Sequence, residues 1–289
     1  MTDHVYFEPV DLDQARSMLA EHGGARIVAG GTDLVVGARS GKAALPDRLI
    51  AIHRLNELAG IEPATSGGLK IGALATHGDI ESSALIAASW TALSDAAALV
   101  GSPATRHLGT VGGNVCNASP AMELGSPLLV FDATVELASA GGFRSVPFDS
   151  FVTGPGRTAA EPGELLTAVL LPPLGPGRRG SAYLRLEYRQ AMEIAVVGAA
   201  ALIRLDEAGR CTEARVALTA VAPTCVRVAE SEEMLRGKKI DPGLLEKAAQ
   251  AAARSAKPID DVRATAEYRR AMVPVIVKRA LTRALERAR

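Results

Sequence analysis

Two of the chain's glycine pairs constrain it more than any other feature. Gly30-Gly31 stands in I-V-A-G-G-T-D-L (Ile27 to Leu34), and Gly112-Gly113 in T-V-G-G-N-V-C-N-A-S-P (Thr110 to Pro120). Paired glycines let the backbone take positive φ and leave no Cβ between peptide N–H groups and a ligand. Successive N–H groups turned to one side form an anion-binding concavity, with no lysine required. Either pair alone reads as a tight turn after a strand. Two such turns, with Thr32, Asp33, Thr110 and Asn114 beside them, point to one ligand carrying a phosphate or pyrophosphate. Neither is followed by G-K-[ST], so a nucleoside-triphosphate loop is not indicated. Neither is G-x-G-x-x-G, so neither is a Rossmann nicotinamide site.

Strand and helix signals alternate around the first pair. Val5 to Val10 reads as a strand and Asp11 to His22 as a helix capped by Asp11, with Gln14 at the capping-box position. Leu12, Ala15, Met18 and Leu19 form its apolar stripe. Ala25 to Ala29 is the strand feeding the first glycine pair, and Thr32 or Asp33 is placed to cap a short helix from Leu34 to Arg39. Leu49 to Ile52 and Leu69 to Ala73 read as further strands, which makes a small α/β unit. Thr76 to Val100 is Ala-rich and amphipathic, read as two helices broken near Ser89 or Ser94, with Trp90 in the core. Gly101 to Gly109 reads as a loop, Leu128 to Ala138 as a strand pair turning at Asp132-Ala133, Phe148 to Gly156 as a loop, and Leu165 to Leu171 as a strand.

Pro172 to Gly180, P-P-L-G-P-G-R-R-G, is the clearest linker and sets a boundary near residue 176. Beyond it, Tyr183 to Tyr188, Ala195 to Leu205 and Arg215 to Val221 read as strands, with a hairpin turn at Asp206 to Arg210. Glu230 to Arg236, Pro242 to Ala256 and Ala266 to Ala288 read as helices, the last kinked or restarted at Pro274. Its Arg269, Arg270, Lys278, Arg279, Arg283, Arg287 and Arg289 read as a basic, solvated face. Strands followed by helices make this second part α+β.

Composition narrows the function. Thirty-two basic residues balance thirty-two acidic ones, so no global field recruits nucleic acid or a membrane surface. Aromatic content of 3% within 48% hydrophobic residues requires a core of Ala, Val, Leu and Ile. Cys116, Cys211 and Cys225 lie far apart and form no C-x-x-C pair, which gives neither a disulfide framework nor a metal or cluster ligand set. His4, His22, His53, His77 and His107 show no metal-ligand spacing, and there is no G-x-S-x-G elbow. The start, M-T-D-H-V-Y-F-E-P-V, lacks the pattern of a secretion signal, and no apolar run is long enough for a bilayer. The expectation is a cytoplasmic protein without direct membrane insertion.

The ordered set A-G-G-T-D-L, T-V-G-G-N, N-A-S-P, D-S-F-V-T-G-P-G and E-L-L-T, with S-A-Y-L-R-L, P-I-D-D-V-R and A-E-Y-R-R, resembles the FAD-binding medium subunit of molybdenum hydroxylases, the xanthine dehydrogenase and carbon monoxide dehydrogenase type. The likeness covers nearly the whole chain. It implies an α+β protein: a p-cresol methylhydroxylase-type FAD-binding fold of two α/β subdomains (about 1–56 and 57–175), then a C-terminal domain (176–289) of antiparallel sheet and helical bundle. By position, Ile27, Val28, Ala29, Gly30, Gly31, Thr32, Asp33 and Leu34, with Thr110, Val111, Gly112, Gly113 and Asn114, would hold pyrophosphate and ribityl. Val100 would lie near the flavin ring, Leu166 beside adenine or ring, and Ile194 over a ring face, gating the acceptor. For these three, plain core packing is the alternative. Glu123 stands where relatives carry aspartate, a carboxylate for hydroxyl groups. Arg185 stands where they carry lysine, a positive charge in the cleft.

The resemblance further implies partners: a large molybdopterin subunit and a small subunit with two two-iron two-sulfur clusters, assembled as a dimer of heterotrimers. FAD in this chain would pass electrons to NAD, a quinone or oxygen, and no side chain here would act on substrate. Two rivals stay open, a self-sufficient FAD-dependent oxidase of the same fold and a non-redox dinucleotide-binding module.

Overall fold

A computed structural model describes residues 4–289. Met1 to Asp3, part of the stretch read for a leader, lie outside the described residues. The first unit holds β1 (Val5–Phe7), α1 (Leu12–Glu21), β2 (Arg26–Val28), α2 (Thr32–Arg39) and β3 (Arg48–Ala51). Its three strands pair in parallel in the order β1-β3-β2. Asp11 caps α1 through its carboxylate at 2.7 Å from the Gln14 amide, and Gln14 answers to the Val10 amide at 2.7 Å. Ala15 and Leu19 bury against Ile50 and Ile52, as the helical stripe requires.

The middle unit runs β4 (Ile61–Pro63), β5 (Leu69–Gly72), α3 (His77–Ser82), α4 (Ala84–Ser89), α5 (Thr91–Ala97), α6 (Pro103–Arg106), α7 (Val111–Asn117), α8 (Gly125–Val130), β6 (Thr134–Ser139), β7 (Gly142–Pro147), α9 (Phe148–Phe151), β8 (Val152–Gly154), β9 (Arg157–Thr158) and β10 (Leu165–Leu171). Its five-stranded sheet is antiparallel, ordered β4-β5-β10-β6-β7. The C-terminal unit has the antiparallel sheet β11 (Arg178–Leu186), β12 (Val197–Leu205), β13 (Cys211–Thr219) and β14 (Val226–Arg227). Helices α10 (Ala229–Leu235), α11 (Pro242–Ala252) and α12 (Ala266–Ala288) follow.

Strand β12, V-G-A-A-A-L-I-R-L, is buried along almost its whole length because both faces of its sheet are covered. Ala200 and Leu202 join the core of the middle unit, while Ala199, Ala201 and Ile203 pack with α11 and α12 residues such as Ala248, Val277 and Ala280. Small side chains here let layers approach on both sides. Polar ties lock the junction: Ser181 Oγ accepts from the Ala92 amide at 3.0 Å, and Arg287 donates to Asp95 at 2.6 and 2.9 Å.

Several sequence expectations change in three dimensions. Leu128 to Ala138 is no strand pair: α8 ends near Val130 and only β6 is extended, because Leu124 to Phe131 is buried all round and its period cannot separate helix from strand. Thr76 to Val100 forms three helices, broken at Ser83, which caps α4, and at Trp90. Pro103 starts a helical turn, α6, inside the expected loop, and the expected loop at 148–156 contains α9 and β8. The helix α12 runs unbroken through Pro274, which is buried within it. Two members of its supposed solvated face are structural. Arg269 is 3% exposed and donates to Val196 O, Ala220 O and Asp261, while Arg287 makes the Asp95 pair.

Candidate functional site: the cleft between two glycine segments

The two glycine segments meet. A Cβ built on Gly30 would lie 1.7 Å from the carbonyl oxygen of Leu108, so only glycine allows this backbone approach. Leu108 stands two residues before Thr110, the N-cap of α7. The approach therefore sets the start of α2 beside the start of α7.

The first segment has the geometry of an anion nest. Gly31 takes left-handed φ of 68° and caps α2 without any side-chain bond. Thus neither Thr32 nor Asp33 caps the helix; both fall inside its first turn. The amides of Gly30 to Leu34 make no hydrogen bond to the described residues. Unpaired amides at a helix start carry the positive end of the helix dipole. Partial burial raises the pKa of Asp33, which suits it to hydroxyl partners more than to a phosphate. Arg26, at the head of β2, lowers the pKa of the Cys116 thiol of α7 by its charge, against the larger upward push of burial. Among the described residues it makes no ion pair.

The second segment differs from the expected glycine turn. Thr110 to Asn114 opens a helix, and Gly113 has no positive φ. Its amides already have partners: Val111 donates to Ala75 O at 2.9 Å, Gly112 to Ala73 O at 2.8 Å, Gly113 to Thr110 Oγ1 at 3.1 Å and Asn114 to Thr110 O at 2.9 Å. The reason is Thr110, whose hydroxyl makes it an N-cap. Gly112 is needed for closeness, since its Cβ would sit 2.9 Å from Ala73 O. Gly113 is exposed, and Asn114 Oδ1 is buried without a partner among the described residues. An unpartnered buried acceptor asks for a donor. Cys116 shares the open face with Gly113 at helical spacing; it is solvent-accessible yet crowded by protein, and burial pushes its thiol up to about 12.

Apart from Leu166, the remaining candidates lie where the middle and C-terminal units touch. Val100 is half-buried, and its carbonyl accepts from Arg106 at 3.2 Å. Met192, with φ of 54°, donates its amide to Gly101 O at 3.2 Å, which straps the segment between β11 and β12 over the end of α5. Ile194, in that strap, is 45% exposed. Leu166 lies in the main core at 4% exposure, the packing alternative. Glu123 is 6% exposed and both its oxygens are taken, one by Tyr183 Oη–H and one by Arg185 Nη1 at 2.5 Å. Arg185 also donates to Glu187 at 2.6 Å. Its charge is thus offset by two carboxylates instead of standing free in the cleft.

Sequence reasoning passed over Arg26, Tyr183 and Glu187. For the last two a signal existed: Tyr183 and Arg185 alternate on one face of β11, and Glu187 continues the same spacing one residue past its end. A groove of about 920 Å³ runs along α11 and α12 past Glu246, Arg270 and Arg283 and contains none of the site candidates.

Two family profiles cover this chain in succession, FAD binding domain in molybdopterin dehydrogenase over residues 2–174 and CO dehydrogenase flavoprotein C-terminal domain over residues 182–284. The chain belongs to the FAD-binding medium subunits of the molybdenum hydroxylases. It is 32% identical over 286 residues to the xanthine dehydrogenase FAD-binding subunit of Escherichia coli O157:H7, covering 98% of this chain and 96% of that one. It is 32% identical over 283 residues to the carbon monoxide dehydrogenase medium chain of Hydrogenophaga pseudoflava, covering 98% and 97%. Among solved structures it superposes on Cu,Mo-CO dehydrogenase with TM-score 0.92 at 32% identity, covering 99% of this chain and 98% of that one. Quinoline 2-oxidoreductase from Pseudomonas putida 86 gives 0.91 at 29%, with the same coverage. The medium-subunit architecture, FAD-binding part and C-terminal part, is the one described above, and the chain is an oxidoreductase flavoprotein. The residues present fit FAD: a free-amide nest, an apposed helix made close by glycine, and an unpaired Asn114 acceptor.

Proposed function

We propose that this flavoprotein is the electron-transfer subunit of a cytoplasmic three-chain molybdenum hydroxylase. The observation that carries the site assignment is the row of unpartnered amides at Gly30 to Leu34, held against the start of α7 by the Gly30–Leu108 approach. In this reading Ile27 to Leu34 hold the pyrophosphate through backbone donors, with Arg26 as counter-charge. The open face of α7, Gly113 and Asn114, takes the ribityl side. Val100 and Ile194 border the ring, and Leu166 supports from beneath. Glu123 orients Arg185 and reaches the cofactor only through it.

When bound, FAD supplies a relay from one-electron iron–sulfur carriers to a two-electron acceptor such as NAD or a quinone, or to oxygen. This chain's residues bind it, orient it and set its electrostatic surroundings. Substrate would be hydroxylated at a molybdopterin centre in a large partner subunit, and a small partner subunit would carry two two-iron two-sulfur clusters, the whole a dimer of heterotrimers. Two functional parts follow, 1–175 with an internal division near residue 56, and 176–289. Xanthine and carbon monoxide dehydrogenase relatives described as subunit or medium chain support this assembly.

The test is affinity purification of this chain from cells expressing its chromosomal neighbours, with flavin, molybdenum and iron measured in the product. Two co-purifying chains with both metals and one FAD per copy of this chain are expected. A colourless protein would end the reading. A yellow protein that turns over substrate without metals would replace it with a self-sufficient oxidase.

A further inference from the structure

The arginine buried where the middle and C-terminal units meet is outnumbered. Arg185, with its side chain 1% exposed, touches Glu123 on one side and Glu187 on the other. Tyr183 donates its hydroxyl to the second oxygen of Glu123. The remaining titratable neighbour of Glu123 is Cys225, a buried thiol pushed up to about 12 by burial and so neutral. With both carboxylates ionised the cluster holds two negative charges against one positive. Buried net charge is unfavourable, and when further negative charge is placed beside the cluster the least costly remedy is one proton on one carboxylate.

We infer that the Glu123–Arg185–Glu187 cluster is a proton-uptake site, in which Glu123 gains a proton from solvent when an electron pair enters the neighbouring cofactor. This rests on the FAD reading of the cleft. The balance is simple: two electrons pass to the flavin from the iron–sulfur carriers, or from a chemical reductant in a titration, and beyond any proton the reduced flavin itself binds, one solvent proton converts the Glu123 carboxylate to a carboxyl. Glu123 is the member that takes it. Burial raises its pKa, while Arg185 and the Tyr183 hydrogen bond pull the other way. Glu187 is the entry point, since its side chain is 22% exposed against 8% for Glu123. Protonation of Glu123 releases one of the two negative charges held on Arg185. The cluster goes from one net negative charge to none, so the repulsion it exerts on the added electrons is removed in the state that needs it. Raising the pH opposes this uptake, so above the pKa of Glu123 the extra proton is lost.

The experiment uses the intact FAD-loaded protein, with flavin content measured first. The midpoint potential, followed by visible spectroscopy against pH, gives the number of protons taken up per electron pair. Reduced-minus-oxidised infrared difference spectra report a carboxyl C=O band. Wild type is expected to take one more proton per electron pair than Glu187→Gln, whose cluster is neutral with Glu123 ionised, and to show a carboxyl band that Glu123→Gln lacks. Tyr183→Phe, which removes a donor to the carboxylate, shifts the window to higher pH. Equal proton counts in wild type and Glu187→Gln, with no carboxyl band, overturn the inference while leaving the FAD site intact. Should the protein carry no flavin, the FAD reading fails separately, and the infrared pH titration still decides. A carboxyl band that titrates above the ordinary carboxylate range and vanishes in Glu187→Gln supports the uptake site; its absence overturns it. Glu187→Gln is the safeguard against misfolding, because its side chain already reaches water.

Discussion

The two glycine segments look alike in sequence and do opposite things with their backbone. At Ile27 to Leu34 the glycines free amides: Gly31 turns left-handed, no side chain caps α2, and five successive N–H groups from Gly30 to Leu34 have no partner among the described residues. At Thr110 to Asn114 the amides are consumed by Thr110, Ala73 and Ala75, and glycine serves packing. One residue decides the difference. Thr110 precedes its pair and caps the helix, whereas Thr32 follows its pair and lies within the helix. A glycine pair therefore reports close approach; whether it also reports an anion site depends on which side the hydroxyl stands.

The largest effect should come from Gly30→Ala, which attacks the contact that makes one cleft of two segments. Backbone oxygen cannot yield as a side chain does, so the segments must part. Overpacking of this kind costs about 1–3 kcal/mol or more, and FAD should be lost with it. Flavin content and thermal midpoint are read together, and an unchanged value of both would show that the Leu108 approach is dispensable. Gly113→Val comes next and separates the two roles. With ordinary helical φ and only Thr110 Oγ1 near its Cβ position, at 3.0 Å, the substitution should leave far-ultraviolet circular dichroism unchanged. Valine even has better helix propensity than glycine. A branched side chain on the open face of α7 should nevertheless lower FAD occupancy at least tenfold, about 1.4 kcal/mol. Full occupancy in the folded variant would move the cofactor off that face.

Acid should loosen the second segment selectively. His77, 2% exposed, donates its amide to Gly109 O and has its pKa lowered to about 4, chiefly by burial and then by Arg106. A depressed histidine means the unfolded chain binds a proton that the native one refuses. The contribution is whole above the unfolded value near 6.5 and falls away as pH drops toward 4. That shift corresponds to on the order of 3 kcal/mol. Denaturant unfolding at pH 7 and pH 5 should show the loss in wild type and much less in His77→Gln. Equal pH dependence in the two proteins would acquit His77.

How far the sequence foretold this site follows from the same physics. Asp11 and Gln14 announced α1 because capping is local. The two glycine segments were legible as a pair because backbone approach leaves few residue choices. The direction of the amides was not, since it depends on Thr110 capping α7 and on Ala73 and Ala75, in the segment after β5, accepting from Gly112 and Val111. Arg185 was legible as a charge, but its quenching by Glu123 required 62 residues of chain to fold back. Leu128 to Phe131 misled for a different reason, because a segment buried on all sides has no period to read. Arg269 misled likewise: a basic residue on a terminal helix reads as solvated until Val196, Ala220 and Asp261 supply its acceptors.

The smallest expected effect is a footprint on Cys116. On α7 this thiol stands three residues after Gly113, on the same open face, and the charge of Arg26, just before the first segment, lowers its pKa against the push of burial. It is therefore a reporter placed between the two segments. With its pKa near 12, roughly one thiol in ten thousand is ionised at pH 8. Maleimide labelling should consequently be slow even in FAD-free protein, and measurable against the still slower Cys211, which is fully buried. Bound FAD should slow Cys116 a further several-fold by covering the face, and Arg26→Gln should slow it in the FAD-free protein by removing the cation that favours the thiolate. Mass spectrometry of tryptic peptides assigns the label to its cysteine. If Cys116 reacts equally fast with and without FAD, the open face of α7 does not line the cofactor cleft. The free amides of Gly30 to Leu34 would then have to hold the ligand without the second segment.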